Sequence, residues 1–397
     1  MPLSLLKEAI NLKERIVAHR RYLHAHAEIG FDLPKTTAYV TDMLKQAGYQ
    51  PEKCGRCGVF ADVGRGEPAV LLRADMDALP VREKSGLPFA CRNGTAHVCG
   101  HDMHTAMLLG AAELLNAHQS LLQGRIRLMF QPAEELLAGA SDMLDHGLLR
   151  DFHPRAALML HVMSTESLKP GTVIIPPAGV SAPAADMFEI RLLGKGCHGA
   201  MPHNGIDVIN AASHLVLSLQ TITAREISLN EAHAITIASF QAGEAANVMP
   251  ERAVLRGSAR SYDLQTQQMI KRRIVEISKT TARTFRAKAS VQWLSGCPTL
   301  LNRPELVIRA KSILQEIIGE ERVLSADQLA GSSARSVGSE DFSYISQQTP
   351  SLMLAMAAGD SSCLPLHHPA VVFSEDALPY GAAVYAGMAM AYSQKKQ

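Results

Sequence analysis

The chain has 397 residues, 47% of them apolar and 19% charged, and a formal charge of +1 at neutral pH. That length exceeds what one hydrophobic core usually serves, so two domains are expected. The near-neutral balance gives no electrostatic reason to expect nucleic acid or an anionic membrane surface as partner, and no apolar run approaches the ~20 residues of a bilayer span.

The first segment, 5–21, is helical in pattern and lacks the basic-then-apolar order of a signal peptide, so a cytoplasmic location is expected. A second helix is expected over 34–47. Val70-Leu71-Leu72 is a short apolar strand that runs into Asp75 and Asp77. An Ala- and Leu-rich helix follows over 105–118, then a strand over 125–130, a helix over 140–149 and a strand over 156–160. Strands alternating with helices predict an α/β layer with a largely parallel sheet.

The middle of the chain changes character. Strand patterns at 186–193, 234–240, 253–261 and 289–294 enclose helical patterns at 206–226 and 264–285. The order β-α-β-β-α-β is that of a split βαβ, ferredoxin-like domain. Turn-forming Pro176-Pro177-Ala178-Gly179 precedes it and Gly296-Cys297-Pro298 follows it. The predicted organisation is therefore one domain made of 1–181 and 297–397, with 182–296 inserted. The α/β layer resumes with a helix over 304–318, a strand over 351–355 and a C-terminal helix.

Four of these strands lead to ionisable residues. Leu72 is followed by Asp75 and Asp77, Phe130 by Glu134 and Glu135, Leu160 directly by His161, and Leu354, after a longer loop, by His367. In open α/β sheets ligands collect beyond the carboxyl ends of the strands, so residues far apart in sequence would converge there. The segment Cys99-Gly100-His101-Asp102-Met103-His104 would be the loop ahead of the 105–118 helix. A single His after a strand is usually a packing or surface residue, and paired Glu usually face solvent. The Cys-Gly-His-Asp cluster together with the acidic pairs is far harder to read that way. Cys99, His101, Glu135, His161 and His367 form a ligand set of the kind a divalent transition metal selects, with Glu134 as a general base. The seven cysteines are odd in number and irregularly spaced, which argues against a disulfide framework.

The motifs in this order resemble the aminoacylase/carboxypeptidase-like metallopeptidases, in the branch of hippurate hydrolases, N-acyl-L-amino-acid amidohydrolases and auxin–amino-acid conjugate hydrolases. The resembling segments begin with Arg73-Ala74-Asp75-Met76-Asp77-Ala78-Leu79-Pro80, Val98-Cys99-Gly100-His101-Asp102-Met103-His104-Thr105 and Phe130-Gln131-Pro132-Ala133-Glu134-Glu135. They continue with His198-Gly199-Ala200-Met201-Pro202-His203, Asn247-Val248-Met249-Pro250, Gly338-Ser339-Glu340-Asp341-Phe342 and Leu366-His367-His368-Pro369. The resemblance covers nearly the whole chain.

It implies a zinc-peptidase-like catalytic domain holding two divalent ions per subunit, of Zn, Mn, Co or Ni, and an inserted ferredoxin-like domain used for dimerisation. Cys99 would bridge the ions where related branches carry a carboxylate. Asp75 stands where other branches carry a metal His and is not assigned as a ligand. Asp77 and Asp102 would hold ligand imidazoles in one tautomer. His198 would reach the partner subunit's active site and stabilise the oxyanion, while Asn247 and Arg260 would lie near the substrate. Arg260 suits the free carboxylate of an amino acid, which it can bind through two hydrogen bonds. The reaction implied is hydrolysis of an N-acyl-L-amino acid by a homodimer or higher homo-oligomer.

Three departures from the family pattern stand out. Leu136-Leu137-Ala138-Gly139-Ala140 replaces a Gly-rich stretch after Glu135. Cys197 stands where Gly is common, and reads either as a small packed residue or as a reactive thiol. Cys54-Gly55-Arg56-Cys57 has no second pair to complete a zinc site, which leaves a redox role or an incidental pair, the latter favoured. Two other functions compete. A dipeptidase or carboxypeptidase would need an acidic group for the substrate's free amine, and no segment announces one. A non-catalytic metal- or peptide-binding module would lack a ligand or the base, and none is lacking.

Overall fold

Val70, Leu71 and Leu72 are buried on both faces of their strand, as are the apolar residues of 126–130 and 156–160. Continuous apolar runs of this kind belong to a parallel sheet covered on both sides. In the computed structural model these segments are neighbouring strands: Arg125–Gln131, Pro68–Asp75, Ala156–Met163 and Ser351–Ala357 lie side by side and parallel. The structure describes residues 2–329, 336–359 and 364–394, so Cys363 lies outside the described residues.

The sheet has eight strands. Glu52–Cys54 and Gly58–Val63 extend it antiparallel on one side, and Val173–Ile175 with Val323–Ser325 extend it on the other. These four flanking strands are absent from the sequence reading. Three of them are only three residues long, too short to show a period. The expected 5–21 helix is two helices, Pro2–Asn11 and Lys13–Ala25. Helices His101–Ala117 and Leu378–Ser393 pack against each other and the sheet, and each is buried almost throughout.

The chain divides into two compact units. One comprises Met1–Ser181, Leu301–Arg335 and Asp341–Gln397; the other comprises Ala182–Leu300 and Ser336–Glu340. The stretch Ser336–Glu340 groups with the second unit, although the expected boundaries put it in the first. Arg260 Nη1 donates to Ser339 Oγ at 2.8 Å and Tyr262 Oη to the Ser336 carbonyl at 2.6 Å.

The second unit is a four-stranded antiparallel sheet in the order His233–Ala242, Arg252–Ser261, Ala184–Leu193, Lys288–Cys297. The first strand in sequence thus lies between the third and the fourth, which is the split βαβ arrangement expected. Helices Val208–Thr221 and Leu264–Thr284 pack on it through Leu215, Leu219, Ile270 and Ile274 against Phe188, Ile190 and Leu255. Both helices start on an aspartate cap: Asp207 accepts from the amides of Ile209 and Asn210, and Asp263 from that of Thr266.

Candidate metal centre

Three tight turns, the first turn of the His101–Ala117 helix and the strand Ala156–Met163, which contains His161, carry the candidate residues. Gly100 precedes the His101 helix at φ 89°, and a Cβ there would lie 2.3 Å from Val162 Cγ2. Only glycine fits both the left-handed backbone and the contact. The turn after Gln131 is more strained, with Ala133 and Leu137 both at φ 53°. It closes on Gly139, where a Cβ would lie 1.5 Å from the Pro132 carbonyl oxygen. Asp77 anchors this turn: its two oxygens accept the backbone amides of Glu134 at 3.0 Å and Glu135 at 3.2 Å. His367, at φ 69°, donates its amide to the Val98 carbonyl at 2.9 Å, which ties its loop to the Cys99 segment.

The five expected ligands converge. Cys99 Sγ lies 3.7 Å from His161 Nε2 and 3.4 Å from His367 Nε2. His367 Nε2 is 3.6 Å from Glu135 Oε1, and His101 Nε2 is 4.0 Å from the same oxygen and 3.9 Å from Glu134 Oε2. Donor atoms of Cys99, His101 and His161 all fall within 4.8 Å of one another, and so do those of Cys99, Glu135 and His367. Cys99 belongs to both sets. His101 Nε2 and Glu135 Oε1 are buried without a hydrogen-bond partner. Buried polar atoms ordinarily find a partner, and two left bare while facing each other across 4.0 Å fit a cation between them. The residues present therefore suit a divalent metal.

A second layer of polar groups surrounds them. Arg73 is wholly buried; its guanidinium donates to Gln131 Oε1 at 2.9 Å, Asp75 Oδ2 at 2.7 Å and Asp341 Oδ1 at 3.0 Å. Asp75 is therefore engaged by Arg73 through Oδ2 and by His104 Nδ1 through Oδ1 at 2.6 Å. Asp341 also accepts from Gln131 Nε2 at 2.7 Å and, through Oδ2, from the Ala140 amide at 3.0 Å.

The role expected for Asp102 needs correction. Its Oδ2 meets Arg20 Nε at 3.0 Å and His24 Nδ1 at 2.9 Å, not a ligand imidazole. Its place at the start of the His101–Ala117 helix turns it toward the Lys13–Ala25 helix instead. Asp77 meets His101 through its backbone. His101 Nδ1 donates to the Asp77 carbonyl oxygen at 2.8 Å, while the carboxylate is 3.5 Å away. That bond leaves His101 Nε2 directed at the cluster.

The electrostatics agree with a cation site. Burial opposes ionisation of Asp75, yet Arg73, His101 and His104 hold its carboxyl well below the usual range. Burial likewise opposes a charged His101 ring, but the Asp75 carboxylate 3.6 Å from Nε2 outweighs it and raises the ring well above 6.5. The acidic surroundings thus favour positive charge at this point. Burial pushes the Cys99 thiol up, so only a nearby cation would make it a thiolate. His104 is lowered to about 4, burial prevailing over the attraction of Asp75.

The remaining candidates lie in the second unit. His198 and Cys197 form a short strand paired with Val248 and Met249, and the Gly199 amide donates to the Asn247 carbonyl at 2.8 Å. His198 and Asn247 are thus brought together, both exposed. His198 Nδ1 accepts the Ala200 amide at 3.1 Å, which leaves Nε2 to carry the proton. Cys197 packs against Met249 Sδ at 3.7 Å. In the first unit Cys54 and Cys57 donate to the carbonyls of Met143 and Phe31 at 3.2 and 3.3 Å, and burial pushes both thiols up to about 11. Neither is a thiolate at neutral pH.

Residues the sequence reading did not single out also serve this region: Arg20, His24, Glu83 and Tyr385. Glu83 lies 2.9 Å from His24 Nε2 and accepts the Cys91 amide at 2.7 Å. All four act across large sequence separations, and nothing local in the sequence marks them. Asp341 stood within a quoted motif, but its partners could not be read there.

The chain is similar to known proteins over nearly its whole length. The model of peptidase family M20/M25/M40 matches residues 71–391. The chain is similar to N-acetyl-L-cysteine deacetylase of Bacillus subtilis (strain 168), 37% identical over 92% of this chain and 85% of the relative. It is also similar to IAA-amino acid hydrolase ILR1-like 2 of Arabidopsis thaliana, 34% identical over 96% and 86%. Among solved structures, the Bacillus subtilis YXEP protein is a dinuclear metal binding peptidase from the M20 family. It superposes with a TM-score of 0.77 at 29% identity, over 96% of this chain and 98% of that one.

Proposed function

The chain belongs to peptidase family M20/M25/M40, and from that premise we propose that it is a metal-dependent amidohydrolase that cleaves N-acyl-L-amino acids to a carboxylic acid and a free amino acid. The observation that carries this reading is the shared cluster of Cys99, His101, Glu135, His161 and His367 beside Glu134. Relatives that remove an acetyl group from N-acetyl-L-cysteine or act on IAA–amino acids support the substrate class.

Cys99, His101 and His161 would hold one ion, and Cys99, Glu135 and His367 the other, with Cys99 as bridge. Zn, Mn, Co and Ni all suit Cys, His and Glu ligands. Such a pair supplies a bound water of lowered pKa. Glu134 accepts a proton from the attacking water as the C–O bond forms, then delivers it to the amine nitrogen as the C–N bond breaks. Asp77 holds the backbone of Glu134 in place during both transfers. His198, with its proton on Nε2, donates to the oxyanion that develops on the acyl oxygen. Arg260 pairs with the α-carboxylate, and Asn247 contributes a polar contact to the substrate.

His198 would act in the active site of a second copy. Open edges of the second unit's sheet support such an assembly. The outer strands His233–Ala242 and Lys288–Cys297 each have a side without a neighbouring strand among the described residues, and Phe240 and Leu294 on them are exposed. Among the described residues no helix is long and apolar enough to cross a membrane. The six described cysteines are free thiols, which supports a cytoplasmic location.

The substrate class is tested by assaying metal-loaded protein against acetyl- and benzoyl-amino acids and against dipeptides with a free amine. The expected result is release of amino acid from the acylated substrates at least tenfold faster. Preference for the free-amine dipeptides would establish a dipeptidase instead.

A further inference from the structure

The parallel pairing of Pro68–Asp75 with Ala156–Met163 ends at Arg73 and Met159. Beyond that register the two strands part, and the gap between them is where Asp75 and His161 diverge. On the side that faced the departed strand, the amides of Leu160 and Val162 still need acceptors. Two side chains supply them. The Leu160 amide meets Tyr385 Oη at 3.0 Å, and Tyr385 Oη donates in turn to the Arg73 carbonyl at 2.7 Å. The Val162 amide donates to His104 Nε2 at 2.8 Å, and the other ring nitrogen, Nδ1, meets Asp75 Oδ1 at 2.6 Å.

His104 therefore spans the opened sheet from Asp75 to Val162. Since Nε2 accepts a proton donor, Nδ1 carries the ring proton and gives it to Asp75. A ligand role for His104 would need the Nε2 lone pair that Val162 already occupies. Its ring sits edge-on to that of His161, with centroids 4.6 Å apart. His101, one helical turn before His104, faces His161 across the same cluster at 6.2 Å.

We propose that His104 is a positioning residue: it stands in for the missing strand neighbour and, through the Val162 amide, fixes the backbone that presents His161 opposite His101 and Cys99. Arg73 and Asp75 set its tautomer, and Tyr385 performs the equivalent bridge one step deeper, from the Leu160 amide to the Arg73 carbonyl. This assignment rests on the metal-site reading given above. It differs in what it predicts, since it concerns the affinity of the cradle and not the chemistry performed in it.

The test compares His104→Phe and Tyr385→Phe with the unaltered chain, measuring Mn²⁺ and Zn²⁺ binding to metal-stripped protein by calorimetry, and metal-free thermal unfolding. His104→Phe is expected to weaken metal binding about 10–100-fold, the usual consequence of losing a group that orients a metal ligand. Tyr385→Phe is expected to lower the unfolding temperature while leaving metal affinity within about twofold. Should His104→Phe fail to fold, His104→Gln, which keeps an acceptor for Val162 but gives up the ring bridge to Asp75, takes its place and is expected to lose about three- to tenfold. Unchanged affinity in the His104 variants, or an equal loss in Tyr385→Phe, would overturn the assignment. Failure of the unaltered chain to bind either ion would instead overturn the metal-site reading itself.

Discussion

Asp77 and Asp102 look interchangeable in the sequence, each a buried aspartate flanking a metal-type motif, yet they face different partners. Asp77 accepts the amides of Glu134 and Glu135 and offers its carbonyl to His101, so it holds both the base and a candidate ligand. Asp102 is bound to Arg20 and His24, 82 and 78 residues away in sequence. The types of the candidate ligands were legible because Cys, His and Glu at strand ends carry chemical meaning by themselves. Their outer partners were not, because a carboxylate's neighbour is decided by helix packing and not by spacing. At this scale the account predicts that Glu134→Gln lowers turnover by about 10²–10⁴ while metal affinity changes little. Steady-state kinetics beside calorimetric metal titration checks it, and full activity in the variant would remove Glu134 from the role of base.

Elements place these residues, and the turns between elements are where sequence and fold constrain each other most. The four central strands could be read from their apolar runs, and three of the flanking strands could not, since three-residue segments have no period. Gly139 closes the turn that bears Glu134, and any side chain there collides with the Pro132 carbonyl. Gly139→Ala is expected to destabilise the chain by at least about 2 kcal/mol, within the range of single changes that force backbone strain, and chemical denaturation measures it.

A second prediction concerns the Lys13–Ala25 helix. His24 lies between Asp102 and Glu83; burial works against its charge, but the two carboxylates prevail and raise it to about 9 from the ordinary 6.5. A group raised on folding stabilises fully below its unfolded value and loses that contribution as pH climbs through its folded one. Stability should therefore decline between about pH 6.5 and pH 9, by no more than about 3 kcal/mol. His24→Gln should flatten that decline. Denaturation midpoints across this interval decide the matter, and an unchanged slope in the variant would show that His24 is not the group responsible.

At the scale of the whole molecule, the chain builds one unit that gathers the metal-type residues and a second that carries His198, Asn247 and Arg260. The insertion was visible as a change from alternating helix and strand to the βαββαβ order. The assignment of Ser336–Glu340 was not, because it depends on Arg260 and Tyr262 reaching a segment more than seventy residues away. If His198 completes the site of a partner subunit, two inactive variants should complement each other. Mixing Glu134→Ala with His198→Ala after subunit exchange gives heterodimers that each contain one intact site. About a quarter of the unaltered activity is expected when exchange is statistical. No recovery, in a mixture shown to contain heterodimers, would place His198 in its own subunit's site or outside catalysis.

The central claim is that hydrolysis of N-acyl amino acids depends on metal held by Cys99, His101, Glu135, His161 and His367. Titrating metal-stripped protein with Mn²⁺ or Zn²⁺ while following release of free amino acid from an N-acetyl-amino acid tests it most directly. No turnover is expected without metal, and activity should rise until two equivalents per chain are bound. Undiminished hydrolysis by the stripped protein in excess chelator, or none at any metal loading, would contradict it.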